Sequence, residues 1–306
     1  MVLRGSLRSL RPRAWLATAA LPLVLACGET TESGGPPGAV TAAPSASVVA
    51  DPTDGVVLPP PRFHDSNPLG LPPATPVATA KGQRIFAPDR RMLDGAKLGS
   101  ALMLEAGTVV GHEGAELVVR VGNGEPFQIH PGYVVVPKPG RFQRGAAVIA
   151  SYNGRLHHGL VTSLRRDRVV VQFTDLGRKL GEQHLAHDRV GVLEGGLAPG
   201  AFAVYRADQE YRHVLLVSSG AHADGKIRWL VLEHTGESRL LEQEQLTRLP
   251  EQRFKAKEDD EVFVAFRGSM VRAMVRSFER PGLYTVKRPR AGAPLVVGAD
   301  MLMRPP

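Results

Sequence analysis

The chain has 306 residues, of which 43% are hydrophobic, enough for folded cores in more than one domain. Only 6% are aromatic and there is a single cysteine, so an intrachain disulfide framework is excluded and stacking surfaces are scarce. The formal charge is +8, and because four N-terminal arginines and Arg62 balance the five acids before residue 81, the remainder alone carries it. Such a body favours anionic surroundings.

At the N-terminus Arg4, Arg8, Arg11 and Arg13 precede an apolar run from Ala14 to Ala26. A charged region followed by an apolar stretch of this length reads as a secretory signal over residues 1–26. The run is too short, and interrupted by Pro22, for a membrane-spanning helix. It ends in "LVLAC", which resembles the lipobox of bacterial lipoproteins, with Val24, Leu25 and Ala26 before Cys27. The resemblance implies cleavage after residue 26 and lipidation of Cys27, anchoring the protein to a membrane without spanning it. The expected location is therefore exported and membrane-anchored. Gly28 at the next position points to the outer membrane, facing the periplasm, if the cell is Gram-negative. Nucleic acid is not an expected partner in that compartment.

Residues 27–90 are rich in Gly, Pro, Ala and Thr, with "GGPPG", "LPPPRF" and "GLPPATP". Too little apolar surface is present to offset the entropy of ordering, so a disordered tether is expected after Cys27. As a flexible coil it would span roughly 45 Å.

Beyond the tether, short apolar alternations recur between turn signals and no long helix is readable. "RVVVQF" from Arg168 to Phe173 has β-branched residues and an aromatic end, and reads as a strand. "ELVVRV", "IRWLVLE", "EVFVAF" and "LYTVKR" read likewise, so the fold class is all-β. The strands fall into units that overlay one another, expected at residues 91–140, 141–196, 197–252 and 253–306. In the last three, the opening strand carries an aromatic residue, Tyr152, Tyr205 or Phe266, and a short apolar segment closes each unit.

The second unit resembles the Tudor family of SH3-like barrels over about fifty residues. The residues that carry the likeness are Gly145, Tyr152 ahead of Gly154, the return strand through Val161, and "FTDLG". The resemblance implies three to four small SH3-like (Tudor-type) barrels in tandem; an irregular β-sandwich array is the alternative architecture. It also implies a cation-binding rim at Tyr152, His157, Phe173 and the site of Leu176, because ring faces attract cations. His157 and Leu176 depart from the family pattern, each standing where an aromatic ring is expected. Tyr205 and Phe266 extend the candidate rim to the third and fourth units.

His157, His158, His184 and His187 are the remaining chemistry-bearing cluster. The spacing of His184 and His187 suits two metal ligands on one helical turn, although adjacent His157 and His158 on a strand point to opposite faces. No nucleophile elbow G-x-S-x-G and no phosphate-cradling G-x-x-x-x-G-K-[ST] loop is present. The expectation is a non-catalytic binding or scaffolding protein of the cell envelope with no cofactor and no catalytic residue. Its partner would be an envelope protein or a cell-wall polymer. A wall-associated hydrolase or metal-dependent enzyme is the alternative.

Overall fold

A computed structural model describes residues 64–73, 79–176, 180–193, 195–250, 254–290 and 293–305. The segment read as a secretory signal, Cys27 and the stretch read as a tether up to residue 63 lie outside the described residues. The described body is all-β, as its alternating apolar runs require, and every strand pairing in it is antiparallel.

The strands come in four sets of one plan. The first comprises β1 (Arg84–Ala87), β2 (Glu105–Glu113), β3 (Glu116–Val121) and β4 (Phe127–Ile129), then a 3-10 turn at Pro131–Tyr133. Val135 then bridges back to Phe86 of β1. The second comprises β5 (Ala147–Tyr152), β6 (Arg155–Leu164), β7 (Arg168–Phe173) and β8 (Gln183–Ala186), a 3-10 turn, and β9 (Val190–Val192), which returns to β5. The third repeats this with β10 (Phe202–Ala207), β11 (Glu210–Ala221), β12 (Ile227–Glu233), β13 (Ser238–Glu242) and β14 (Thr247–Arg248), which returns to β10. The fourth does so with β15 (Glu261–Phe266), β16 (Ser269–Arg280), β17 (Leu283–Lys287), β18 (Leu295–Gly298) and β19 (Leu302–Met303), which returns to β15.

The second strand of each set carries a register shift at the same place, after Val109, Val161, Leu216 and Val275. A bulge adds a residue and bends the strand, so one long strand can serve neighbours on both its sides. Sets are also stitched together by an identical joint. Glu105 of β2 pairs with Arg155 of β6, and Arg212 of β11 pairs with Ser269 of β16, at equal distances from the bulges. The result is one nine-stranded and one ten-stranded sheet.

Two hairpins show why the sequence turns where it does. Asn153 and Gly154, and likewise Arg267 and Gly268, all have positive φ, the backbone that a two-residue hairpin needs to match strand twist. The first set replaces this hairpin with the segment 88–104, which contains a short helix at Arg90–Leu93 capped by the Asp89 side chain on the Met92 N–H. That segment reaches the third set: Ala101 bridges Glu237, and the Leu102 N–H donates to the Gly236 carbonyl at 2.8 Å.

The first strand begins earlier than the sequence suggests. Arg84–Ala87 forms β1 within the stretch read as tether, and His64 is held by Asp94 and the Gln128 carbonyl at 2.7 and 2.8 Å. A four-residue strand among Pro and Gly residues carries too little periodicity to be seen, but Ile85, Phe86 and Ala87 are buried in the core.

Cores cross the set boundaries. Val217, Leu230 and Leu232 of the third set pack with Ile85, Val119 and Tyr133 of the first. Phe202 and Val204 of the third pack with Val264, Val275 and Tyr284 of the fourth. Burying a side chain of this size contributes roughly 1.5–3 kcal/mol, so the third set holds its neighbours on both sides.

Candidate functional site

The site is built where the second, third and fourth sets meet. β5 ends on Tyr152, β6 presents His157 after the hairpin, and β7 ends on Phe173. The three rings converge: Tyr152 lies 5.3 Å from Phe173 and 6.0 Å from His157, and His157 lies 6.0 Å from Phe173. Three of the four positions implied by the Tudor resemblance are thus brought together, with Leu176 packed against the same core.

Two residues beyond β7, Asp175 ties this rim to the interior. Its Oδ2 accepts the His158 backbone N–H at 3.0 Å and lies 3.3 Å from His157 Nδ1 and 3.7 Å from His158 Nδ1. Burial pushes its carboxyl up, but hydrogen bonds and charge from His157 and His158 outweigh burial and hold it well below the usual carboxylate range. Asp175 is therefore an ionised carboxylate under two imidazoles.

His157 and His158 alternate across β6, so His157 joins the rim while His158 turns into the junction, where it is 1% exposed. There its Nε2 donates to the Gly200 carbonyl at 2.6 Å. Gly200 has φ +85, and a Cβ there would press on Ile149 and Val135, so glycine is needed for this approach. The His158 ring stacks on Phe202 at 3.5 Å, and His213 lies against Phe202 at 4.2 Å. Phe202 is sandwiched between two imidazoles.

The register shows why. Tyr152 pairs with Arg155 and Ala207 with Glu210, so His158 and His213 occupy one repeat position in successive sets. Burial, then the nearby His158, pushes the His213 pKa down to about 3, so its ring is neutral. Asp300, at the end of the fourth set, is 3% exposed, and burial raises its pKa towards the neutral acid. Gly298 makes room for it, since a Cβ there would strike Asp300 Oδ1.

A cavity of about 210 Å³ opens beside this junction, walled by residues of three sets that include Asp175, Leu176, His213, His234 and Arg267. Asp175 Oδ1 and His213 Nε2 are buried and have no hydrogen-bond partner.

The other rim candidates fare differently. Tyr205 is 8% exposed, and its hydroxyl donates to Glu233 Oε1 at 2.6 Å. The closing strands place Tyr205 level with Ala150 and Val264, two residues deeper than Tyr152, so an overlay on aromatic residues misaligns it. Phe266 does occupy the Tyr152 position, each facing the first residue of its return strand. It is covered by the Arg288 guanidinium, 3.5 Å from the ring centroid.

His184 and His187 are both exposed, His184 on β8 and His187 in the following 3-10 turn. They do not share a helical face, and His187 lies against Phe142 instead. Among the described residues no group of three or more His, Cys, Asp or Glu side chains is placed to hold a metal ion. Asp175, His213, Phe202 and Asp300 are site residues that sequence reading missed, Asp175 because "FTDLG" reads as a turn. The signal for His213 was the overlay of "LHHGL" on "YRHVL", which aligns it with His158. Compared with known proteins, the chain matches no family model and no curated protein.

Proposed function

We propose that this is a lipid-anchored, non-catalytic binding or scaffolding protein of the cell envelope. On this reading Cys27 carries the anchor, the Pro-rich stretch is the spacer, and the four strand sets are tandem SH3-like (Tudor-type) barrels. The observation that carries the reading is the convergence of Tyr152, His157 and Phe173 beside the ionised Asp175. Ring faces and a carboxylate together attract a positively charged group. The partner is accordingly an amine- or guanidinium-bearing segment of an envelope protein or wall polymer.

Co-sedimentation of the full-length protein in detergent with isolated cell-wall sacculi, at low and high salt, tests this. Salt-resistant binding that falls in Tyr152→Ala supports a wall ligand at the rim. Binding that is wholly screened by salt moves the search to a protein partner. Binding indifferent to Tyr152→Ala rules the rim out. For the anchor, Cys27→Ala should release the protein from carbonate-washed membranes; retention there would refute lipidation at Cys27.

A further inference from the structure

The two ends of β6 differ in kind. Its first residue, Arg155, pairs with Tyr152 beside the ring cluster, whereas its last, Leu164, leads into the turn to β7. At that far end an open cleft of about 490 Å³ is lined by Pro139, Gly140 and Phe142, by Leu164 and Arg165 of the turn, and by His187 and Asp188. Phe142 and His187 lie ring to ring at 5.5 Å, and Leu164 is 50% exposed. The polar residues of the cleft, Arg165, His187 and Asp188, are all exposed, so no desolvated group is present to select a small ligand.

The charge around this cleft is one-sided. Lys138, Arg141 and Arg144 flank the Phe142 wall in sequence, and Arg165 and Arg166 follow Leu164 in the turn; all five are exposed. The acids at this end are already engaged, Asp188 by Arg84 at 2.9 Å, Asp167 by Arg168 at 3.6 Å and Glu182 by Arg280 at 2.7 Å, and among the described residues no carboxylate pairs with the five bases. The equivalent turns of the other sets are different. That of the first lies between Glu113 and Glu116, that of the third has Lys226 on Glu242 and Arg228 on Asp224, and that of the fourth packs Pro281 against Gly145 and Gly282 beside Leu160. Unpaired bases around an exposed apolar side chain are therefore particular to the second set. That combination matches an anionic bilayer, where bases meet headgroup phosphates and an apolar side chain reaches below them.

We propose that this end of the second set docks on the surface of a bilayer containing anionic phospholipid, with Leu164 inserted at the headgroups and the five bases over their phosphates. The choice of a bilayer over an acidic protein rests on the anchored reading above, which holds the body near a membrane at high effective concentration. Each base near such a surface strengthens partitioning roughly fivefold, so a contact too weak to recruit the protein suffices to orient it. β6 has ten residues, so docking at one end holds the ring cluster at the other as much as roughly 30 Å from the lipid, open to a ligand beyond it.

Leu164→Trp in the full-length protein puts a reporter in the turn, and quenching of its fluorescence by brominated phospholipid reads contact with the bilayer. Trp15 and Trp229, present in the parent protein too, give the background to subtract. Vesicles of phosphatidylcholine with about 30% phosphatidylglycerol should quench the new indole, and phosphatidylcholine alone should not. Adding Arg165→Gln and Arg166→Gln should lower the ratio of docked to free protein roughly 25-fold, two steps of the factor for one base. Those side chains have no partner to lose, so the variant should melt like its parent. Equal quenching in neutral and anionic vesicles, or unchanged quenching after the two arginine substitutions, overturns the proposal. So does an indole left unquenched in anionic vesicles; if soluble polyglutamate then shields it from acrylamide, the face belongs to an acidic protein instead. Tyr152→Ala, which tests the rim, should leave the quenching intact. The anchor is judged apart from this: retention of Cys27→Ala on carbonate-washed membranes defeats the anchor while the quenching stands, and absent quenching with Cys27→Ala released defeats the docking alone.

Discussion

The rims of the second and fourth strand sets use the same backbone positions for opposite ends. Tyr152 and Phe266 are equivalent by hairpin register. Phe173 lies opposite Gly159; in the fourth set Met274 pairs with Lys287, which sets Arg288 at the corresponding place. A ring faces Tyr152 in one set, whereas in the other a guanidinium lies 3.5 Å over Phe266. The third set shows a further variant, with Glu233 at this position accepting the Tyr205 hydroxyl and pairing with Arg239 at 2.6 Å. The residue at this one strand end therefore decides whether the rim aromatic meets a ring, a guanidinium or a carboxylate.

The largest test removes the support both rims share. Phe202→Ala empties the space between His158 and His213, and a buried phenylalanine truncated to alanine costs about 3–5 kcal/mol. A melt should show a single lowered transition; if only one half of the molecule loosens, the junction does not couple the two rims.

Acid should act on the same place. His213 is neutral in the fold with its pKa near 3, whereas an unfolded histidine titrates near 6.5. Between those values the unfolded chain binds a proton that the native chain does not, so stability falls as pH drops from about 6.5 towards 3. Asp175, held below the ordinary carboxylate range, adds to the loss as pH falls below about 4. Asp300 opposes it, because its raised pKa stabilises the fold at low pH and that contribution is lost as pH rises past the ordinary carboxylate range. Melts from pH 4 to 7 should show a shallower slope in His213→Gln than in the wild type. Equal slopes would place the acid sensitivity elsewhere, with His130, also lowered by burial, the first alternative.

A sharper test of the rims is Arg288→Met. Removing the guanidinium should cost about 0.5–2 kcal/mol and leave Phe266 only the more distant Arg267 guanidinium, 5.3 Å from its ring centroid. Tetramethylammonium, followed by chemical-shift changes in the ring resonances, should then perturb Phe266 as well as Tyr152. In the wild type only the Tyr152 side should respond, and a response at Phe266 there would deny that Arg288 satisfies the ring.

The smallest expected effect is that of Tyr205→Phe, which deletes one hydrogen bond worth about 1 kcal/mol. It should also flatten the alkaline limb. Burial and Glu233 push the Tyr205 pKa up to about 12, so between pH 10 and 12 the unfolded chain loses a proton that the native chain keeps, and stability falls as pH rises. Persistence of that limb in Tyr205→Phe would assign it to another group.

Much of the fold was legible in local composition. Arg168–Phe173, Ile227–Glu233 and Glu261–Phe266 are strands over the segments read from their β-branched and aromatic runs. Such runs are dictated by neighbours along the chain. The grouping of Tyr152, His157 and Phe173 was implied by the Tudor resemblance rather than by any local pattern, and the three residues come together from consecutive strands β5, β6 and β7. The place of Tyr205 was not legible, because aromatic side chains mark the end of a strand only loosely while hydrogen bonding to the closing strand decides its register. Nor was β1, whose core residues Ile85 and Phe86 are too few to set a pattern.

What the sequence by itself determined is the all-β class, the repeat and the chemistry available at each strand end. These follow from side-chain alternation, turn residues and spacing, which are local properties. Only the tertiary structure decided that His158 and His213 would meet across Phe202, that Asp175 would serve both rim and cavity, and that Arg288 would cover Phe266. These contacts depend on how bulged strands bend one set against another, and that geometry is a property of the packed sheets rather than of any segment.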